Sequence, residues 1–376
     1  MKLTIPKHEL NEAIQHVSKA ISSKTTIPIL TGIKLTVSHD TVTLTASDID
    51  TSIQAAIPVT DGIKIEQTGS VVLPAKFIVD IIKKLPKETV DIEVGDNFST
   101  RIKSGKTNIE MVGLDPDEFP SLPSVDTSQL IKAPGDLVKR MIKATGFSVS
   151  TNENSPILTG ILWNVVDGKL KLLATDRHRL ASTQSELDNA EGVIVRNIPI
   201  SGKILGELIK IIPDSDEPID IAVADNQALF KVGQVLFYSR ILDGTYPDTS
   251  KIIPTDYKTE LTVDTKSFTD SLDRAFLLAR EEKTNIVKMQ TTSDGAIAIE
   301  STSSDLGKVN EQLEAESITG EPVRISFNSK YMLDVLKVID SKQVHIGFTG
   351  AMSPIIIKPA DGKESLYLIL PYRTTN

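Results

Sequence analysis

The chain has 376 residues, 40% of them hydrophobic and 24% charged, with a formal net charge of −9 and no cysteine. That length exceeds one ordinary domain at roughly 150 residues each, and the composition suits a globular protein with several cores and argues against disorder. Disulfides, thiol nucleophiles and thiolate metal sites are excluded together, no apolar run is long enough to cross a membrane, and the amino terminus lacks the apolar region of a signal peptide, so a cytoplasmic protein is expected.

In chain order, a helix is predicted over 7–24, followed by "IPILTGIKL" (27–35) and "TASD" (45–48) in strand-rich sequence. A second helix, 76–84, lies in "VVLPAKFIVDIIKKLP" (71–86) and puts Lys76, Asp80 and Lys83 on one face by their i, i+4, i+7 spacing. Phe77, Ile78, Ile81, Ile82 and Leu85 form the expected opposite, apolar face. Alternating strands follow in "TRIKSGKTNIEMVG" (100–113), and the Pro-rich stretch 116–128 marks a boundary near 127.

The pattern then recurs. A helix over 136–143 precedes "SPILTGILW" (155–163), "ATD" (174–176) and "IPISGKILGELIKIIP" (198–213), whose helix 203–210 carries Lys203, Glu207 and Lys210 opposite Ile204, Leu205, Leu208 and Ile211. The stretch 246–258 marks a second boundary, near 254. Helices over 266–283 and 330–337 follow, the latter with Lys330, Asp334 and Lys337 inside "RISFNSKYMLDVLKVID" (324–340). Lys76, Lys203 and Lys330 are 127 residues apart both times, and Phe119-Pro120 and Tyr246-Pro247 keep the same spacing. In the third unit "NIVKMQTT" (285–292) replaces the Pro-Ile-Leu stretch. A period this long describes whole domains in tandem, expected over 1–127, 128–254 and 255–376, each α+β with antiparallel meanders.

Charge is segregated within this framework. The six predicted helices carry a formal +7 and the remaining chain −16. An acidic protein at face value disfavours an anionic partner, yet cationic helices in an acidic body are the footprint of a polyanion binder. The candidate phosphate contacts are Lys76, Lys83, Lys84, Lys139, Arg140, Lys143, Lys203, Lys210, Lys330 and Lys337. On one isolated helix such faces read equally as solubilising i, i+4 ion pairs; their threefold recurrence favours duplex DNA, which offers about one negative charge per 1.7 Å of axis. Nothing in these helices supplies the paired Asn, Gln and Arg side chains of base readout, so the contact is expected to be non-sequence-specific.

Catalytic machinery is not found. "SGKT" (104–107) ends like a phosphate loop, but Thr100 occupies the position of its first glycine. "DIDTS" (48–52) starts like a calcium loop, but Ile53 stands at the glycine position. His8, His16, His39, His178 and His345 lack metal-site spacing, and no cofactor or metal is expected. The densest polar cluster, Asp176, Arg177, His178 and Arg179, reads first as a strand-end turn and second as a binding rim. The C-terminal "LYLILPYRTTN" (366–376) reads as a last sheet strand or as the wall of a peptide groove. Besides a DNA-binding ring, a protein-binding repeat scaffold and an enzyme on a triplicated fold compete as readings.

The stretches "SSKTTIPILTGIKL" (22–35), "LPAKFIVDIIKKLP" (73–86), "ATDRHRLA" (174–181), "YPDTSKIIP" (246–254), "FNSKYMLDVL" (327–336) and "LPYR" (370–373) together resemble the DNA sliding clamps, the β subunits of bacterial DNA polymerase III. The resemblance covers the whole chain. It implies three tandem clamp domains with helices inside and antiparallel sheets outside, and a head-to-tail homodimer closing into a ring around double-stranded DNA. It further implies a non-enzymatic processivity factor that tethers the polymerase III alpha subunit and other clamp-binding-motif proteins and is placed by a clamp loader. Lys24 and Lys203 match DNA-contacting positions. The implied partner-peptide groove comprises Leu158, Thr175, Arg177, His178, Arg179, Leu180, Pro247, Ile252, Met352, Leu370, Pro371, Tyr372 and Arg373. Arg177 stands where a small Gly is familiar, Tyr372 replaces a smaller apolar residue, and three residues follow Arg373. The implied dimer joint sets Ile109 and Met111 against Leu277 and Leu278, leucines that equally suit a core.

Overall fold

Six helices arise from the predicted apolar spacings. In the computed structural model, which describes residues 1–22, 25–125, 130–188, 190, 192–224, 226–292 and 294–373, they are α1 (Lys7–Val17), α2 (Ala75–Lys84), α3 (Gly135–Gly146), α4 (Gly202–Leu208), α5 (Thr265–Glu281) and α6 (Ser329–Leu336). Lys24 and the boundary at 127 lie outside the described residues. Helix α1 buries Leu10, Ala13, Ile14 and Val17 and ends earlier than expected, passing through a tight turn at Ser18–Ala20 before Ile21 extends. Pro86 ends α2 by forcing Leu85 out of helical geometry, to ψ 142°. Asp264 and Asn328 cap α5 and α6 by accepting from the backbone N–H groups of Ser267 and Lys330.

One expectation fails on α2. Ile78 and Ile82 are buried, but Phe77 is 58% exposed, with Lys76 Nζ 6.0 Å from its ring. Its place between two faces of the helix, one residue after Lys76, turns it outward from the core line set by Ala75, Ile78 and Ile82.

The chain divides into two compact units, Met1–Asp136 with Glu207–Ile241, and Leu137–Gly206 with Leu242–Asn376. Each is described separately. Among the described residues, the first unit holds a five-stranded sheet in the order Lys64–Gln67, Lys2–Pro6, Thr89–Val94, Ser99–Ser104, Thr107–Val112. Its second sheet, of eight strands, runs Ile131–Pro134, Pro218–Ala224, Gln227–Val232, Val235–Arg240, Thr51–Pro58, Thr41–Ser47, Gly32–Val37, Gly69–Pro74. The second unit holds a nine-stranded sheet, Val195–Ser201, Gly160–Val166, Lys169–Thr175, Arg179–Glu186, Ser365–Ile369, Ile355–Pro359, Gln343–Phe348, Thr259–Asp264, Ser317–Gly320. Its other sheet has four strands, Gly307–Glu314, Ala296–Ser303, Ile286–Thr291, Arg324–Asn328.

The central third of the chain contributes to both units because each of its sheets continues into the sheet of a neighbour. In the first unit Val235–Arg240 pairs antiparallel with Thr51–Pro58, and Phe237 lies opposite Ile53. In the second, Ser365–Ile369 pairs antiparallel with Arg179–Glu186, and Tyr367 lies opposite Ala181. Ile53 and Ala181 are 128 residues apart, Phe237 and Tyr367 130, and the next pairs along, Ser52–Tyr238 and Leu180–Leu368, correspond in the same way. The two joints therefore share one register. That register is pinned because a one-residue slip would carry every side chain to the opposite face, exchanging Phe237 with Tyr238 and Tyr367 with Leu368 at sites buried on both sides.

The repeated "PILTG" also folds alike in both places. Pro28–Thr31 and Pro156–Thr159 are short 3-10 turns, and the glycine after each is needed for close approach. A Cβ at Gly32 would meet Val72 at 2.4 Å, and one at Gly160 would meet Leu242 at 2.7 Å. The third repeat has only the strand Ile286–Thr291 at this place.

Candidate functional site

The turn Asp176–Arg179 is built locally. The backbone N–H groups of His178 and Arg179 donate to Asp176 Oδ1 at 2.9 and 3.0 Å, an Asx turn closing the hairpin. Arg179 then leaves the surface: its side chain is only 12% exposed. Nε pairs with Asp176 Oδ2 at 3.0 Å, Nη1 with Asp334 Oδ2 at 2.7 Å, and Nη2 donates to the Phe147 carbonyl at 2.6 Å. The guanidinium also lies 4.4 Å from the Tyr331 ring centroid and 5.3 Å from that of Phe147. Arg179 is thus a clasp between α3, α6 and its own hairpin, leaving the basic rim to Arg177, His178 and Arg373, all exposed. The same contact takes Asp334 out of the Lys330/Lys337 face, where the helical spacing alone had placed it.

Beneath the rim, Leu158, Leu162, Leu173, Leu180, Tyr246, Ile356 and Leu368 form one buried cluster. Tyr246 Oη accepts the Thr175 N–H at 3.1 Å and donates to the Gly160 carbonyl at 3.4 Å, and burial pushes its phenol up to about 12. Leu158, Thr175 and Leu180 belong to this floor and are not exposed. Above it the expected wall residues Pro247, Ile252, Met352, Leu370 and Tyr372 are exposed and Pro371 half-buried. Two backbone bonds hold the last segment: Leu370 N–H to the His178 carbonyl at 2.9 Å and Tyr372 N–H to the Ser326 carbonyl at 2.7 Å. The result is an apolar surface on a rigid floor with a cationic edge, a form suited to short peptides with apolar anchors. Sequence reasoning missed Ser155, Tyr331 and Phe147; the aromatic at the Phe119/Tyr246 position was the one available signal for the floor. Phe119 packs with Ile29, Leu30 and Val72 in the first repeat as Tyr246 does in the second.

The expected phosphate contacts sort by exposure and partner. Lys76, Lys83, Lys84, Arg140, Lys143, Lys203, Lys210, Lys330 and Lys337 are exposed and Lys139 half-buried. Lys210 is spent in part on Glu207 at 2.7 Å. Arg140, Lys143 and Lys337 line a cleft of about 710 Å³ beside α3 and the segment that follows α6, together with Glu186, Asp340, Asp361 and Glu364. This cleft is separate from the apolar surface above, so the structure offers a mixed-charge recess and a peptide-like groove at different places in one unit.

Of the expected joint residues, Ile109 and Met111 lie half-exposed on Thr107–Val112, the edge strand of the five-stranded sheet. Leu277 is 52% exposed on α5 and Leu278 half-buried, so Leu277 is the one of the pair directed away from the core. Gly307–Glu314 is likewise an edge strand. Among the described residues no group of three or more His, Cys, Asp or Glu side chains could hold a metal, and no helix is long and apolar enough to cross a membrane.

A thrice-repeated α+β unit with shared sheets, cationic helices and an apolar groove defines a DNA-clamp fold. The chain matches the solved sliding clamp of Bacillus subtilis with a TM-score of 0.97 at 48% identity over all of both chains, and the beta subunit of Streptococcus pyogenes DNA polymerase with 0.95 at 33% over all of both chains. The beta sliding clamp of Bacillus subtilis is 49% identical over 378 residues and that of Staphylococcus aureus 44%, each over the full length of both chains. Residues 1–123, 132–248 and 250–373 match the N-terminal, central and C-terminal domains of the DNA polymerase III beta subunit. The chain belongs to that family, the beta sliding clamps. It is an accessory subunit of DNA polymerase III, a processivity factor.

Proposed function

We propose that two copies of this chain close head to tail into a ring around duplex DNA, with three repeats per copy divided near 127 and 254. The supporting observation is that the two internal joints share one register while, among the described residues, the two edges that would make a third are left unpaired. Gly307–Glu314 is the counterpart of Thr51–Pro58 and Arg179–Glu186, and Thr107–Val112 is the counterpart of Val235–Arg240 and Ser365–Ile369, by hairpin position in each sheet. Carrying the register over sets Val309 opposite Ile109 of the second copy, Lys308 opposite Glu110 and Glu311 opposite Thr107. One apolar pair is flanked by an ion pair of the right sign. On α5, Leu277 lies five residues beyond the buried Leu272, as Phe147 lies five beyond the buried Ile142; Phe147 packs on Tyr367 at 6.0 Å, so Leu277 would pack on Ile109. Val112 and Leu306, 72% and 65% exposed at the ends of these edges, would be covered by the same contact. Unpaired edges are a liability unless covered, and a heterologous contact that closes covers both.

The lysine-bearing faces meet phosphates without reading sequence, so that residence on DNA comes from closure and not from affinity. The apolar groove, with Arg177, His178 and Arg373 at its rim, takes the clamp-binding segments of the polymerase III alpha subunit, of the clamp loader that opens and places the ring, and of other replication and repair proteins. With these partners the working compartment is the cytoplasm. The test is retention after loading: the ring is expected to stay on circular DNA and to leave linearised DNA rapidly from its ends. Equal loss from both would contradict it, and a Lys203→Glu, Lys330→Glu variant is expected to load less well while remaining folded.

A further inference from the structure

The turn that closes the groove contains an unusual backbone. Arg177 adopts φ +76°, the left-handed region that glycine enters freely and that costs a side chain on the order of 1 kcal/mol. The turn itself does not require this conformation. The matching hairpin in the first repeat makes the same Asx turn, with the N–H groups of Asp50 and Thr51 donating to Asp48, and the intervening Ile49 is not left-handed. A cost borne by a residue on a groove rim points to use of its side chain.

That side chain is the available cation of the three in the turn. Arg179 has its donors committed to Asp176, Asp334 and the Phe147 carbonyl. The His178 ring lies stacked 6.5 Å from that of Tyr331. Among the described residues the Arg177 side chain makes one polar contact, Nη2 to Ser155 Oγ at 3.2 Å, which braces the guanidinium beside the Pro156–Thr159 turn and leaves most of its N–H fork open. No carboxylate pairs with it among the described residues. Leu370, held to the His178 carbonyl, brings the apolar surface alongside.

Resting on the groove reading above, we infer that Arg177 is a specificity-determining residue that selects partner peptides carrying a carboxylate beside their apolar anchors. A planar, braced fork suits a carboxylate by bidentate geometry, and an exposed rim position makes the gain modest and salt-dependent. The occupant is a peptide and not a nucleic acid strand, because the neighbouring surface is aliphatic and suited to side-chain anchors.

The test uses full-length protein and two fluorescent peptides with the same Leu and Phe anchors, one with Asp and one with Asn beside them. Wild type is expected to favour the Asp peptide by about tenfold at low salt, as one charge-assisted contact allows, with the preference shrinking as salt rises. Arg177→Gly is expected to bind both at the affinity wild type has for the Asn peptide, with no loss of thermal stability, and Arg177→Lys to keep part of the preference. An Asp preference unchanged in Arg177→Gly overturns the inference while leaving the groove standing. Failure of wild type to bind either peptide overturns the groove reading and this inference with it. Arg177-dependent binding of a short single-stranded oligonucleotide, with no Asp preference in wild type, assigns the residue to nucleic acid and also overturns it.

Discussion

Replacing Arg179 by alanine is expected to destabilise the second unit by about 3 kcal/mol, because it removes the counter-charge of two carboxylates that are largely shielded from water. Asp176 and Asp334 are 14% and 22% exposed at their side chains, so screening relieves little of the penalty. The Phe147 carbonyl loses its donor as well, and the rings of Phe147 and Tyr331 lose the guanidinium between them. Arg179→Lys restores the charge but reaches only part of a three-directional fork, and is expected to recover less than half of the loss. Because Leu370 is held by its N–H to the His178 carbonyl of the same turn, partner-peptide affinity falls together with stability. Urea unfolding followed by hydrogen exchange at residues 176–182 and 331–336 reads the effect locally; a loss below about 1 kcal/mol would show that the clasp is decorative.

Ile109→Asp is expected to convert the proposed dimer to folded monomers. Ile109 sits half-exposed on an edge strand, so the substitution costs the isolated chain little. At the proposed joint it would bury a carboxylate against Val309 and Leu277, at a cost of several kcal/mol, which weakens association by about a hundredfold or more. Sedimentation velocity near micromolar concentration then gives a single species of one-chain mass with unchanged circular dichroism. Retention of the dimer would place the contact elsewhere.

Much of this arrangement is legible in the sequence because repetition removes ambiguity. One Lys-led helix is uninformative; three at constant spacing, each after a short apolar strand, define the domains, and the strands and helices around them follow from periodicities of two and of 3.6. What periodicity cannot supply is the partner of a side chain across the fold. Asp334 reads as one member of a solvent face and is instead bound to Arg179, 155 residues away. Phe77 satisfies an apolar pattern that α2 leaves in solvent, and Leu158, Thr175 and Leu180 match a groove motif while lying beneath its surface. The common register of the joints is equally invisible in the sequence, since it depends on which edge strands meet. Once two joints are seen, the proposed third follows from them residue by residue.

The absence of native cysteine allows that specification to be tested by one cross-link. A chain carrying Ile109→Cys and Val309→Cys, mildly oxidised in solution, is expected to give a two-chain covalent product in high yield, because directly opposed strand residues approach disulfide geometry. A chain carrying Ile109→Cys and Glu311→Cys, two residues out of register, is expected to give little. Efficient cross-linking of the second variant, or of neither while the protein remains dimeric, would contradict a third joint built on the plan of the first two.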